Sequence, residues 1–365
     1  MTPKTTPLYK WHQEAGGRIV DFAGWKMPVY YTTIIKEHLQ TRSHAGLFDI
    51  SHMGFVELSG PEAGNALQFL TTNNVAVLKN GQAQYSLLLN EAGTIIDDII
   101  VYRRAENDFR ICVNASNTDK DFEWIQKQGS RFNVHAVNHS DQTGLIALQG
   151  PKAAVIFQKV SPIQLEAVPR FSFIEIEIEK IPLFVARTGY TGEDGFEIFC
   201  PWDQTKTLWQ ILLEAGKNEG LVPVGLGARD TLRVEMKYSL YGHEIDDSTN
   251  PYEAGLGWVV KLDKGNFIGK EKLTRIKDKG IERKLVCLEM KEAGIARQGF
   301  SLHSSDDNLE KIGQITSGTF SPSLEKAIAI GYLKKEFSEN GTRVKILIRK
   351  DYKEAEVVPA PFYKK

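Results

Sequence analysis

The chain has 365 residues, 42% of them hydrophobic and 25% charged. That is the composition of a soluble globular protein, at a length that exceeds one core and calls for two or three domains. Its 45 basic and 46 acidic residues leave a formal net charge of −1, which argues against nucleic-acid binding through bulk charge. Cys112, Cys200 and Cys287 lie far apart in apolar contexts and read as small buried strand residues, not as a disulfide framework or a zinc site. The opening Met-Thr-Pro-Lys-Thr-Thr-Pro has no apolar core, so no signal peptide is expected. No uninterrupted apolar run is long enough to cross a bilayer, and a reducing cytoplasm is the expected setting.

In chain order, His38, His44 and His52 come first, at spacings of six and eight that fit no compact metal motif. Ser51-His52 is a sequential pair, not a nucleophile–base arrangement, and neither a Gly-x-Ser-x-Gly elbow nor a Walker loop is present. Residues 57–70 and 147–160 resemble each other: each reads as a strand end, a Gly-Pro turn (Gly60-Pro61, Gly150-Pro151) and an amphipathic helix with Pro in its first turn. Two similarly built α+β units follow from that. Between them the pattern predicts strands from Gln84 to Leu89, Ile95 to Arg103 and Phe109 to Asn114, then a helix over about 118–129.

Asp97 and Asp98 interrupt the second of these strands, with apolar residues on both sides. Adjacent strand residues point to opposite faces, so at least one carboxylate must sit against a core or a cleft. A buried carboxylate is unfavourable by several kcal/mol or shifts its pKa, and such groups concentrate at functional sites. Asp98 shares a face with Ile100 and Tyr102 and is read as the cleft residue. The bland alternative is one exposed Asp and one Asp capping a turn.

Residues 173–180 alternate Ile174, Ile176 and Ile178 with Glu175, Glu177 and Glu179, the mark of a half-exposed strand. Next comes the densest stretch of the chain, Arg187-Thr-Gly-Tyr190-Thr-Gly-Glu193-Asp194-Gly195-Phe196-Glu197. Its glycines permit sharp bends or close approach of a ligand, so it reads as one wall of a binding site, with Glu193 and Asp194 as solvated tip residues. Leu208, Ile211, Leu212 and Ala215 then sit at helical spacing, with Asp203 as N-cap. Gly225-Leu-Gly227-Ala-Arg229-Asp230 opens a helical stretch running through Tyr238. The third glycine of a dinucleotide loop is missing, and Arg229 near a helix N-terminus favours an anion. Residues 262–283 form a charged helical connection. Five short strands follow (284–290, 312–316, 327–333, 344–348 and 355–358), reading as a separate small β-barrel or sandwich. A carboxylate, an arginine and several aromatics (Tyr85, Tyr190, Tyr238) suit a proton-assisted reaction on a flat, anionic-tailed ligand.

Taken together, Val20–Pro28, Gly46–Gly54, Ile96-Asp97-Asp98, the Arg187–Glu197 stretch, Gly225–Asp230, Ile315–Gly318 and Ser321-Pro322 resemble, in the same order, the aminomethyltransferase (T protein) family of the glycine cleavage system. The resemblance implies an α+β fold: a three-domain cloverleaf around a central folate channel. Its domains would be a discontinuous folate-binding domain (1–56 plus 139–262), a ferredoxin-like domain (57–138) and a connecting helix with a C-terminal β-barrel (263–365). It implies transfer of the one-carbon unit from the aminomethyl-dihydrolipoyl arm of H protein to tetrahydrofolate, releasing ammonia and forming 5,10-methylenetetrahydrofolate. No metal, flavin or nucleotide is implied. The partners would be lipoylated H protein, with the decarboxylase and dihydrolipoyl dehydrogenase in the same pathway, and the chain would be monomeric, free of nucleic acid and membrane. Carried over by position, Asp98 would be the catalytic carboxylate. Glu197 would bind the pterin, Met53, Tyr85, Asn114, Phe173 and Tyr190 would line its slot, and Arg229, with Tyr238 nearby, would face the folate. Gly93-Thr94 stands where the family often has Gly-Gly. The Cys-containing loop of folate proteins linked to iron–sulfur assembly is absent, as is the flavin loop of dimethylglycine and sarcosine oxidases.

Overall fold

A computed structural model of the chain describes residues 3–364. Its contacts divide it into two compact units, one running through Leu88 and resuming at Asp97–Arg229, the other made of Leu89–Ile96 and the residues from Asp230 onward.

The first unit holds two main sheets. In the six-stranded sheet the order is Phe173–Ile178, Ile181–Ala186, Gly195–Pro201, Thr143–Gln149, Ala45–Asp49, Leu221–Val224. One face packs on the helices Ala153–Gln158 and Thr205–Gly216 through Leu148, Phe157, Phe196, Ile198, Leu208 and Trp209. The five-stranded sheet runs Gln82–Leu89, Ile95–Ala105, Asp108–Val113, Gly54–Ser59, His135–Asn138. Setting aside its edge strand Gln82–Leu89, the spatial order is second, third, first, fourth, with the helix Ala63–Leu70 after the first strand and Thr118–Gly129 after the third. That is the ferredoxin-like arrangement, with Gly54–Ser59 antiparallel to both Asp108–Val113 and His135–Asn138, and Ile95–Ala105 antiparallel to Asp108–Val113.

An aromatic cluster joins the two sheets. Tyr102 and Phe55 come from the five-stranded sheet; Phe173, Phe184 and Phe199 come from the other. Tyr102 stands edge-on to Phe184 at 5.2 Å and to Phe173 and Phe199 at 5.9 Å, while Phe55 lies 4.6 Å from Phe199. Edge-to-face geometry brings the positive ring edge to the negative face, adding about 0.5–1.5 kcal/mol per pair to the apolar burial.

The two Gly-Pro turns do share one geometry. Gly60 and Gly150 have φ of +126° and +131°, and an added Cβ would stand 2.7 Å from the Asn133 carbonyl oxygen and 2.5 Å from that of His44. In both, the N–H three residues on (Ala63, Ala153) donates to the glycine carbonyl at 3.0 Å. The prolines precede the N-caps Glu62 and Lys152 and so lie in the turn, not in the first helical turn as predicted. Asp203 does not cap its helix. It belongs to the short 3₁₀ turn Trp202–Gln204, and Gln204 takes the N-cap position.

In the second unit six antiparallel strands close into a barrel, in the order Arg283–Met290, Lys326–Lys334, Lys311–Ser321, Ser301–Ser304, Arg343–Ile348, Asp351–Val358. Ser301–Ser304 escaped the sequence reading because it carries one apolar residue, the fully buried Leu302. Without it the barrel could not close, and an open sheet would leave exposed edges. The charged connection contains the helix Lys270–Lys279. The helix begun at Leu226 ends at Glu235, short of Tyr238, because Lys237 turns to φ +55°. No helix among the described residues is long and apolar enough to cross a membrane.

Arg233 and Glu244, 1% and 0% exposed, pair at 2.5 Å, and Glu244 also accepts from the Thr316 hydroxyl at 2.7 Å and the Leu240 N–H at 3.0 Å. Removing Glu244 takes the fully buried counter-charge from Arg233 and leaves it the half-exposed Asp230 at 2.8 Å. Glu244→Ala is therefore expected to lower unfolding free energy by about 3–5 kcal/mol in urea titration, whereas the double change Arg233→Met with Glu244→Leu loses much less. Equal losses in the two proteins would refute that account.

Candidate active site

The period-2 strand Ile95–Ala105 places Asp97 and Asp98 on opposite faces, and both faces are covered. Asp97 is fully buried on the helix side, and Asp98 is half-buried on the face it shares with Tyr102. The bland alternative of an exposed Asp beside a turn cap does not hold.

Asp98 is held at both oxygens. The Tyr85 hydroxyl donates to Oδ2 at 2.9 Å, and the Asn114 amide donates to Oδ1 at 2.8 Å. Tyr85 stands on the adjacent strand Gln82–Leu89, and Asn114 sits where Asp108–Val113 turns into the 3₁₀ segment Ala115–Asn117. Behind the strand, Asp97 accepts from the Asn114 N–H and amide at 2.9 Å each and from the Asn117 amide at 2.6 Å. Asn114 thus bridges the two carboxylates. Burial, and next the charge of Asp97, push the Asp98 carboxyl up to about 7, against the pull of Tyr85 and Asn114.

The six-stranded sheet supplies the opposing groups. Its register aligns Phe173, Ala186, Glu197, Ala147 and Phe48 in one row across the strands. Glu197 is half-buried and accepts from the Thr188 hydroxyl at 2.5 Å. Burial raises its pKa, with Thr188 and the Arg229 charge opposing. Arg229, in the first turn of Leu226–Glu235, lies 4.6 Å over the ring of Tyr190. Cys112 is buried where Glu197, Asp97, Arg229 and Asp98 all bear on its thiol, and burial foremost pushes that thiol above its ordinary value. One region of the first unit therefore brings together Asp98, Tyr85, Asn114, Tyr190, Glu197 and Arg229. Phe173 is spent largely on the aromatic joint, stacked on Phe184 at 4.3 Å. Met53 is half-buried in the turn before Gly54–Ser59. Tyr238 belongs to the second unit and is exposed.

The Arg187–Glu197 stretch is tied down more firmly than a solvated turn. Glu193, predicted at a wet tip, is 6% exposed and pairs with Arg42 at 2.8 Å. Asp194 takes a two-point contact from Arg187, at 2.6 and 3.1 Å, and that contact foremost holds its carboxyl below the usual range. Gln149 pins the loop's interior, accepting from the Thr191 hydroxyl at 2.9 Å and donating to the Thr188 carbonyl at 3.0 Å. Gly189 has no room for a side chain, because a Cβ would stand 1.9 Å from Gln149 Oε1. The smallness at that position serves packing. Thr188 and Asn117 were missed as site residues, although Asn114 and Asn117, three apart across a tight turn, could have flagged a shared acceptor. Of the three histidines, His52 is buried and lowered to about 4, chiefly by burial and then by Arg229. No metal-binding cluster occurs among the described residues. Thr94 is absorbed locally, its hydroxyl accepting from the Asn90 amide at 2.7 Å.

Comparison with known proteins gives this arrangement a family. The GCVT N-terminal domain matches residues 8–264 and the glycine cleavage T-protein C-terminal barrel domain matches residues 283–364. An aminomethyltransferase from Desulfitobacterium hafniense (strain DSM 10664 / DCB-2) is 47% identical, covering 99% of this chain and 98% of its own length. One from Chlorobium luteolum is 48% identical, with 99% of each chain covered. The crystal structure of glycine cleavage system aminomethyltransferase T from Bartonella henselae superposes with a TM-score of 0.93 at 37% identity, covering 99% of this chain and 98% of that one. The matched domains and the named relatives make this chain a transferase. The chain belongs to the aminomethyltransferase family, the T proteins of the glycine cleavage system, and that transfer is its function.

The raised pKa of Asp98 has a signed consequence for stability. The folded state holds a proton that the unfolded chain, with its Asp near 4, gives up. The contribution of Asp98 to stability is thus present below about pH 4 and is lost as pH rises through about 7. Asp98→Asn, which cannot ionise, should gain melting temperature relative to the parent protein between pH 5 and pH 8. A difference constant over that range would rule out the shift.

Proposed function

We propose that this aminomethyltransferase uses tetrahydrofolate as co-substrate and takes its one-carbon unit from the aminomethyl-dihydrolipoyl arm of lipoylated H protein, with Asp98 as the catalytic carboxylate. The decarboxylase and dihydrolipoyl dehydrogenase of the same system would complete the cycle, and the proposed setting is the cytoplasm, as a monomer. The proposed domains remain 1–56 plus 139–262, 57–138 and 263–365; the position of the five-stranded sheet between Gly54 and Asn138 supports the second of them.

The observation that carries this reading is the state of Asp98: half-buried, fixed by Tyr85 and Asn114, and raised to about 7. A group poised near the working pH can both hold and accept a proton. The residues also fit a pterin. Glu197 has one acceptor position filled by Thr188, and a carboxylate offers about four, so it can receive ring N–H groups. Tyr85 and Tyr190 are close enough to act on each other electrostatically and present flat surfaces. Tetrahydrofolate would supply the nitrogen that accepts the one-carbon unit. Asp98 would orient that nitrogen and, when ionised, stabilise the positive charge developing at the aminomethyl carbon as ammonia departs. Asn114 and Tyr85 would keep its oxygens aimed throughout, so orientation is set before the reactants meet. Arg229, on Tyr190, would serve an anionic part of the ligand, with Met53 and Phe173 as further lining.

With aminomethylated H protein and tetrahydrofolate, ammonia release by Asp98→Asn should fall by about 10²–10⁴-fold, while equilibrium binding of tetrahydrofolate stays within about tenfold of the parent protein. Near-normal turnover in that variant would remove Asp98 from the role.

A further inference from the structure

Asp121 lies in the first turn of Thr118–Gly129, and its side chain is wholly buried. Neither of its oxygens receives an N–H or O–H from the described residues. The group within its hydrogen-bonding reach is the Asp97 carboxyl, itself an acceptor. Two ionised carboxylates cannot share such a contact, and like charges at that range force one of them to keep its proton. Which one keeps it follows from the donors. Asp97 has three N–H bonds, from the Asn114 backbone, the Asn114 amide and the Asn117 amide, which stabilise its ionised form. Asp121 has none. A carboxylate has about four lone-pair sites, so Asp97 has one position left, and an O–H from Asp121 fills it.

We propose that Asp121 is a neutral carboxylic acid that donates its O–H to Asp97, and that it is thereby a positioning residue controlling the charge presented to Asp98. This rests on the reading of Asp98 given above. The titratable and charged groups around Asp121 are Asp97, Asp98 and Lys120, and burial, followed by Asp97, drives it toward the protonated form. Around Asp98 they are Asp97, Asp121, Tyr85 and Cys112. The shared proton draws charge on Asp97 away from Asp98. Without it Asp97 would present a more concentrated negative charge, and Asp98 would ionise less readily.

Two measurements test this. In infrared difference spectra of the intact protein at pH 9, where Asp98 is ionised, the carbonyl-stretch band of a protonated carboxylic acid should be present and should vanish in Asp121→Asn. No such band, or a band that survives in Asp121→Asn, overturns the proposal, and neither result depends on what the enzyme acts on. In the second, Asp121→Ala should move the ionisation limb of the kcat/KM profile, and the pH dependence of melting, to higher pH by on the order of one unit. Asp121→Asn, whose amide can still donate to Asp97, should restore the parent profile. Superimposable profiles for Asp121→Ala and the parent protein would show that Asp121 does not act through Asp98, even where the band is found. If melting shifts as expected and activity does not, the role of Asp98 in turnover fails and the proton on Asp121 stands.

Discussion

The joint between Tyr102, Phe55, Phe173, Phe184 and Phe199 fixes which residues can meet. Side chains two apart on a strand share a face, so Tyr102 carries Ile100 and Asp98 with it. In the facing sheet Phe199 carries Glu197, and the row through Ala186 brings Phe173 into line with Glu197. Packing of apolar rings therefore sets the register of two carboxylates that no hydrogen bond connects directly. A one-residue slip in either strand would turn its carboxylate to the wrong face, and the rings resist that slip because each would lose its partners at once. The placement of these two carboxylates is inherited from an apolar interface, with polar bonds making the final adjustments.

Those polar bonds divide three carboxylates by environment. Asp97, fully buried, has three N–H donors and needs them all, since an unpaired buried charge is unfavourable by several kcal/mol. Asp98, half-buried, has a phenol and an amide, too little to offset burial and the neighbouring charge, so its pKa climbs. Glu197 has one hydroxyl and the field of Arg229. Asp98 and Glu197 both have fewer donors than Asp97, and burial raises the pKa of each. Shifted pKa values arise this way, where burial is not fully offset by donors.

Much of this was legible in the sequence, and the limits are instructive. Period-2 reasoning put Asp97 and Asp98 on opposite faces, and apolar flanks on both sides showed that neither face was simply solvent. The likeness of the two Gly-Pro turns was readable because Gly60 and Gly150 do the same local work. What failed was long range. Glu193 looked like a wet tip because its partner Arg42 is 151 positions away, and nothing local announces such a pair. Ser301–Ser304 failed for the opposite reason, being too short and polar to show alternation even though Leu302 closes the barrel core. Asp203 was a good cap by residue type, but the chain inserts a 3₁₀ turn before the helix and moves the cap position on by one. Asp121 reads as an ordinary acidic residue in the first turn of a helix, where the dipole favours a charge, and only the sheet packed beneath it reveals that it has no donor.

The loop from Arg187 to Glu197 shows how a stretch dense in polar groups is held without rigid secondary structure. Its ends enter the adjacent strands Ile181–Ala186 and Gly195–Pro201, and its middle is fixed by three contacts with different physics. Arg187 binds Asp194 by a two-point ion pair at the partly exposed end, where solvent screening limits its contribution to stability. Arg42 binds Glu193 in the interior, where loss of either partner would strand a charge. Gln149 satisfies the backbone between them. Glu197 takes its bond from the Thr188 hydroxyl and lies outside these three contacts. The cation of Arg229 over the Tyr190 ring adds a further contact on the loop's Tyr190. A shorter hairpin could have joined the same two strands, but it could not have carried Tyr190 and Glu197 on a segment anchored at so many points.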